Sequence, residues 1–136
     1  MRKISDFLTM AAAGAVVAAL FVIPLATLNA AAVSGGDWDA GADVFDTYCS
    51  DCHSVSPRGT NRKGPTLYGV MGRRAGTAPG YAYSKAMTRS GIVWNPATLD
   101  AYLVNPQATV PGGKMKKGLP KAVHRANVIA FLARPK

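Results

Sequence analysis

Two cysteines and a histidine fall within five consecutive residues, Cys49-Ser50-Asp51-Cys52-His53, and their side chains can carry chemistry. A histidine placed directly after a Cys-x-x-Cys pair is typical of a covalent attachment site for c-type haem. Thioether bonds from Cys49 and Cys52 can reach the two vinyl groups on one edge of the porphyrin, which brings His53 to the iron as an axial ligand. The chain has no other cysteine. We therefore predict one covalent haem c, with His53 as a metal ligand.

Two other chemistries also use closely spaced cysteines. A thioredoxin-like redox pair would need a βαβ context, and the sequence has no strand pattern. A structural zinc site would need four soft ligands, whereas the chain offers only two cysteines and two histidines, with His124 far away in sequence. We expect His124 to be a solvated surface residue, and the disulfide and zinc interpretations stay open as alternatives.

The sixth iron position decides whether such a haem transfers electrons or binds ligands. Met115 lies 62 residues after His53 and follows a Pro-Gly-Gly turn that begins at Pro111. Such a turn can fold a loop across a porphyrin face. A thioether sulfur favours Fe(II) and raises the reduction potential. Met71 and Met87 compete for this role, although core packing is the commoner fate of methionine. We predict Met115 as the second metal ligand, because an open sixth site would instead favour a peroxidase or a ligand sensor.

Four further residues are candidates for contact with the cofactor. The carbonyl of Pro65 can accept the second ring N–H of His53 and so orient the ring. Tyr83 and Trp94 can donate hydrogen bonds to a buried haem propionate, although core packing alone is the simpler role for each aromatic ring. A carboxylate buried without a partner is costly, so a cation is expected nearby, and Arg73 is the candidate.

The first 32 residues differ sharply from the rest of the chain. A positive start, Met1-Arg2-Lys3, precedes an apolar stretch from Met10 to Leu28, and small residues at 30–32 suit cleavage. This pattern predicts a signal peptide over residues 1–32, followed by a linker at 33–36 and a haem domain at 37–136. Nineteen apolar residues would span about 28 Å as a helix, so an uncleaved membrane anchor is the alternative. Both interpretations place the haem domain in the periplasm, free or tethered to the inner membrane.

The remaining sequence predicts a mostly α fold. Helices are expected at Asp39–Tyr48, at Ser84–Arg89, from Asn95 to Asn105-Pro106, and at Lys121–Ala133. Gly41 interrupts the apolar face of the first helix, which indicates either a weak helix or a close approach of the last one. Pro120 is expected at the first position of that last helix. The stretch between His53 and Tyr83 is rich in glycine and proline, and a haem would let such a long loop wrap the cofactor.

Charge indicates the kind of partner. The chain carries a net charge of +9, and five of its seven acidic residues fall between Asp37 and Asp51. Basic residues flank the predicted haem loops instead: Arg62, Lys63, Lys114, Lys116, Lys117 and Lys121. This asymmetry predicts docking to acidic surfaces. Nucleic acid is a weaker alternative, because the chain has an export pattern and no recognised nucleic-acid motif.

These motifs together resemble class I cytochromes c, most closely the mitochondrial and bacterial c2 branch, over essentially all of residues 37–134. The matching positions are Phe45, Cys49 to His53, Gly64-Pro65-Thr66-Leu67, Gly72-Arg73, Gly80 to Ser84, Trp94, Leu99, Tyr102-Leu103, Asn105-Pro106 and Pro111 to Met115. The resemblance implies three to five helices and long loops wrapped around one haem, with the terminal helices crossing. It also implies that Tyr102 lies near the Met115 sulfur.

The same resemblance implies a monomeric one-electron carrier and not an enzyme. Such a carrier would take electrons from a quinol–cytochrome c oxidoreductase and pass them to a terminal oxidase or a photosynthetic reaction centre. The alternative is a membrane-anchored or dehydrogenase-associated subunit that serves one dedicated partner.

Overall fold

A computed structural model describes residues 35–134, which form five α-helices joined by long loops. The helices are α1 (Trp38–Tyr48), α2 (Lys85–Arg89), α3 (Pro96–Val104), α4 (Pro106–Thr109) and α5 (Ala122–Ala133). Within this range the β-pairing is limited to one isolated bridge between Arg74 and Val93. The predicted mostly α fold is therefore confirmed. The predicted signal peptide or anchor lies outside the described residues, as do the first two linker residues and the last two residues of the domain.

Capping side chains mark the starts of α1, α2 and α3. Asp37 caps α1 by accepting from the backbone N–H groups of residues 39 and 40, at 2.8 and 3.2 Å. Asn95 and Thr98 form a reciprocal capping box at the start of α3, in which each side chain accepts from the other's N–H at 2.9 Å. Ser84 caps α2. The helix ends at Arg89, shortly before Gly91, which has the left-handed conformation with φ of 70°.

Two helix boundaries differ from the sequence prediction. The Asn105-Pro106 pair ends α3 as expected, but Asn105 also caps α4 by accepting from two backbone N–H groups at 3.1 Å. A helix of four residues is too short to produce a periodic pattern, so the sequence did not indicate α4. The last helix begins at Ala122 with Lys121 as its cap, so the placement of Pro120 at its first position was wrong.

Helices α1 and α5 cross in direct backbone contact at Gly41. A Cβ atom added there would overlap the Asn127 carbonyl and the Cβ atom of Phe131, so only glycine lets the helices approach this closely. The rings of Phe45 and Phe131 pack beside the crossing with centroids 5.6 Å apart. The close-approach interpretation of Gly41 and the predicted crossing of the terminal helices are therefore confirmed.

The core lies where α1, α3 and α5 meet the loops. Helix α3 packs against α5, and Arg125 donates to the Asp100 carboxylate at 2.7 Å across this contact. None of the described helices is long and apolar enough to cross a bilayer. This arrangement places residues of α3 and α5, and the end of α1, around a common cavity.

Candidate cofactor site

A cavity of about 400 Å³ lies between the helices and the loops that join them. All nine residues that the sequence predicted as cofactor contacts line it, although they are spread over 67 positions of the chain. They are Cys49, Cys52, His53, Pro65, Arg73, Tyr83, Trp94, Tyr102 and Met115. Both predicted metal ligands are therefore at the same cavity.

The Cys-x-x-Cys-His segment continues directly from the last turn of α1. The Cys49 N–H donates to the Phe45 carbonyl at 2.8 Å, and the Cys49 carbonyl then accepts from Cys52 and His53 at 3.0 and 2.9 Å. This tight turn brings both thiols and the imidazole to one wall of the cavity, and both cysteines are free. Burial, with a smaller contribution from Cys52, raises the pKa of the Cys49 thiol to about 11.

The imidazole of His53 is held in a defined tautomer. Its Nδ1 lies 2.7 Å from the Pro65 carbonyl oxygen, which can only accept, so Nδ1 carries the proton and the lone pair is on Nε2. Burial lowers the pKa of His53, while the bond to Pro65 opposes that shift. A Cβ at Gly64 would overlap the imidazole ring, so this neighbouring position has room only for glycine. The result is a neutral ring with one nitrogen free to bind a metal.

Arg73 is a half-buried cation beside the cavity. Its guanidinium donates to the Tyr68 carbonyl at 3.0 Å and to the Thr66 carbonyl at 2.7 Å. Burial lowers its pKa, and Tyr83 partly offsets this effect. Among the described residues no carboxylate lies within ion-pair distance of Arg73. The guanidinium is thus positioned but not neutralised, as a site for an anionic cofactor group requires.

Three aromatic side chains with polar groups line the same cavity as this cation: Tyr83, Trp94 and Tyr102. Trp94 and Tyr102 are buried and pack with ring centroids 5.1 Å apart. Burial raises the pKa of Tyr102 to about 12, with smaller contributions from other tyrosines, and burial also raises that of Tyr83. Both phenols therefore stay protonated at neutral pH and can donate hydrogen bonds.

Two of the three candidate methionines reach the cavity. Met115 lines it and is partly buried, whereas Met87 also lines it but is 8% exposed and belongs to the buried core cluster. Met71 packs against the core and is not among the cavity residues. The geometry thus removes Met71 from the competition and leaves Met115 and Met87.

Four of the six basic residues predicted for docking line the cavity and are exposed: Lys63, Lys114, Lys116 and Lys117. The Lys114 ammonium also donates to the Ala82 carbonyl and lies 5.3 Å from the centre of the Tyr81 ring. Arg62 and Lys121 are exposed but do not line the cavity. Arg62 instead donates to the Ser50 carbonyl at 2.6 Å, which ties it to the attachment segment.

His124 lies on α5 and is partly exposed. Its ring packs on that of Tyr48 with centroids 5.4 Å apart, so it is less solvated than expected. Among residues 35–134 no three His, Cys, Asp or Glu side chains come together as a metal-binding group, so the zinc alternative lacks its ligand set.

The sequence did not identify the apolar lining of the cavity as cofactor contacts. This lining includes Leu67, Val70, Leu99, Leu103, Val128 and Leu132. Tyr81 was also missed, although its hydroxyl donates to the Lys63 carbonyl at 2.9 Å and its ring packs edge-on against Tyr83 at 4.8 Å. The apolar periodicity of α3 and α5 indicates the helix residues as core but cannot distinguish contact with a cofactor from contact with other side chains.

Comparison with known proteins identifies the family. The Cytochrome c family model matches residues 38–134. The chain belongs to the cytochrome c family. It is 48% identical over 106 residues to a cytochrome c2 of Rhodomicrobium vannielii, which covers 77% of this chain and 84% of the relative. A cytochrome c2 of Rhodopila globiformis is 48% identical over 71% of this chain and 92% of its own length. A cytochrome c of Gibberella zeae is 46% identical over 74% and 95%.

The family binds one covalent haem c, and the residues of this cavity fit that group. Two thiols and a ring nitrogen with a free lone pair lie on one wall, the lining is largely apolar, and an uncompensated guanidinium suits a propionate. The fold is that of a class I c-type cytochrome, and the protein is a haem-based electron carrier and not an enzyme.

Proposed function

We propose that this cytochrome c shuttles single electrons in the periplasm between membrane-bound complexes. It accepts them from a quinol–cytochrome c oxidoreductase and delivers them to a terminal oxidase or a photosynthetic reaction centre. Haem c, when bound, supplies the one-electron Fe(II)/Fe(III) couple. The observation that carries the proposal is the cluster of four exposed lysines at the haem cavity.

The proposed roles at the site follow from the contacts described above. Cys49 and Cys52 attach the haem, His53 and Met115 ligate the iron, and Pro65 orients the His53 ring. The other four residues hold the haem propionates and surround the Met115 sulfur: Arg73, Tyr83, Trp94 and Tyr102.

Charge separation supports docking through the cavity face. The four lysines line the cavity, whereas none of the five aspartates between Asp37 and Asp51 does so. A molecule charged in this way is steered so that its positive face meets an acidic surface, which raises the association rate. Because the same lysines line the cavity that would hold the haem, this orientation would also shorten the path for the electron.

The test is the rate of electron transfer to a purified oxidase or reaction centre as a function of salt. The second-order rate should fall steeply through physiological ionic strength, where the Debye length is about 8 Å. Lys63→Glu and Lys117→Glu should each slow it several-fold.

Arg134→Glu is the matched control, because Arg134 is exposed, lies over the Trp38 ring and does not line the cavity. It makes the same change in net charge away from the proposed docking face. Equal effects of all three substitutions would mean that only net charge matters and would reject the docking face.

A further inference from the structure

The side chain of Gln107 bridges α4 and the segment that carries Met115. Its amide nitrogen donates to the Gly113 carbonyl at 3.0 Å and to the Met115 carbonyl at 2.7 Å. Its amide oxygen accepts from the Lys116 ammonium at 2.8 Å. The orientation of the amide is determined by chemistry, because an ammonium can only donate and must face the oxygen. Both amide hydrogens are therefore directed to the methionine segment.

Gln107 is itself attached to a well-anchored helix. The Asn105 side chain accepts from the Gln107 backbone N–H at 3.1 Å, and Pro106 is fully buried. Thr109 adds a bond from its hydroxyl to the Ala101 carbonyl of α3 at 3.2 Å. A side chain fixed on such a base can hold a neighbouring loop in one position.

The methionine segment has few other attachments near the ligand. The Gly113 N–H donates to the Val110 carbonyl at 2.9 Å, and the Lys114 ammonium donates to the Ala82 carbonyl. Among the described residues, no other hydrogen bond reaches the backbone of Met115. Movement of the Met115 backbone away from the cavity would therefore break its hydrogen bond with Gln107.

We propose that Gln107 is a positioning residue that holds Met115 at the haem iron and resists its displacement by other ligands. The inference rests on the proposed ligation by Met115. It assigns to Gln107 no contact with the iron or the porphyrin. Loss of the two hydrogen bonds should favour the state in which Met115 has left the iron. Each bond is worth about as much as a several-fold change in that equilibrium constant.

Imidazole competition on the oxidised holoprotein tests this proposal, because imidazole binds the iron only when the methionine leaves. Gln107→Ala should tighten apparent imidazole binding about tenfold, which corresponds to ~1.4 kcal/mol. The readout is the loss of the weak sulfur-to-iron absorbance during titration. Thr109→Val is the matched control, because it removes a side-chain bond of the same helix without touching the methionine segment, and it should change binding less than about twofold.

Gln107→Glu separates hydrogen bonding from packing. Glutamate has the same length and can still accept from Lys116, but an ionised carboxylate cannot donate to the Gly113 and Met115 carbonyls. It should therefore behave like Gln107→Ala. Imidazole affinity equal to that of the unsubstituted protein in either Gln107 variant would overturn the proposal. Retention of the sulfur-to-iron absorbance in Met115→Ala would instead overturn the ligation on which it rests, so the two failures are distinguishable.

Discussion

The Pro65 carbonyl determines what His53 can do. A carbonyl accepts and never donates, so one contact of 2.7 Å settles which ring nitrogen is protonated and which is available to a metal. Gly64 leaves room for the ring, and the turn after α1 places it beside the two thiols. Three consecutive constraints thus act on one side chain, which is how a short motif defines a cofactor site.

The identity of the sulfur ligand is the first prediction at this scale. Met115→Ala should abolish the sulfur-to-iron absorbance and lower the reduction potential by a substantial part of the roughly 0.8 V that axial ligands span, because a soft ligand that stabilises Fe(II) is lost. Visible absorption spectra and a redox titration measure both effects.

Met87→Ala and Met71→Ala are the controls for this experiment. Met87 is buried, so its truncation should lower the free energy of unfolding by about 2–5 kcal/mol while leaving the absorbance in place. Loss of the absorbance in Met87→Ala alone would make Met87 the ligand and contradict the assignment to Met115.

The sequence predicted the site roles of residue types that have few chemical uses. It did not predict the roles of residue types that have many. Cysteine, histidine and a methionine after a Pro-Gly-Gly turn have few uses at such spacing, so their position at one cavity could be expected. Gln107 and Tyr81 gave no comparable signal. Their contacts depend on which loops meet in space, and a glutamine after Asn-Pro is an ordinary surface residue in any sequence pattern.

At the scale of helices, the crossing of α1 and α5 depends on one glycine. Gly41→Ala would gain about 1 kcal/mol in helix propensity, but its methyl group would overlap the Asn127 carbonyl. Backbone atoms cannot move aside as a flexible side chain can, and overpacking typically costs about 1–3 kcal/mol. Because the overlapping atom belongs to the backbone, we expect the upper part of that range, a net loss of up to about 2 kcal/mol in the free energy of unfolding, measured by urea denaturation of the haem protein. A variant as stable as the original would show that the crossing can relax.

Helix boundaries were predictable where a capping side chain marks them. Asp37, Ser84 and Asn95 accept from the first turns of their helices, and those helices begin within one residue of the expected position. Helix α5 has no side-chain cap; its start at Ala122 is within one residue of the expected Lys121, but Pro120 precedes the helix instead of occupying its first position. The wrapping of the loop between His53 and Tyr83 was expected only in outline, because its backbone is shaped by turns and by the cavity that it encloses.

At the scale of the whole molecule, the separation of charge along the chain becomes a separation in space. Five of the seven acidic residues lie on α1 or within three residues of its ends and none of the five lines the cavity, whereas lysines from two distant segments meet there. A chain of this size with net charge +9 can therefore present one strongly basic face while keeping acidic groups elsewhere.

The N-terminus decides whether this protein can shuttle. If the apolar segment stays attached, the tether between it and the domain is Asn29–Gly36, whose eight residues reach at most roughly 26–29 Å when fully extended. That length is about one small-domain diameter and would confine the haem domain to a single membrane partner. A shuttling carrier instead requires cleavage after Ala32 or Ala30, where small residues suit a signal peptidase.

We accordingly expect mass spectrometry of the mature protein to find an N-terminus near Val33 and the protein to separate with the periplasmic fraction. Substituting Ala30 and Ala32 by bulky residues should block cleavage and retain the protein in the membrane, because the processing site needs small side chains. An intact segment from Met1 to Leu28 in the natural protein, together with resistance to carbonate extraction, would contradict free shuttling. It would favour a cytochrome that serves one dedicated complex, since a haem domain on so short a tether can reach only a partner beside its anchor.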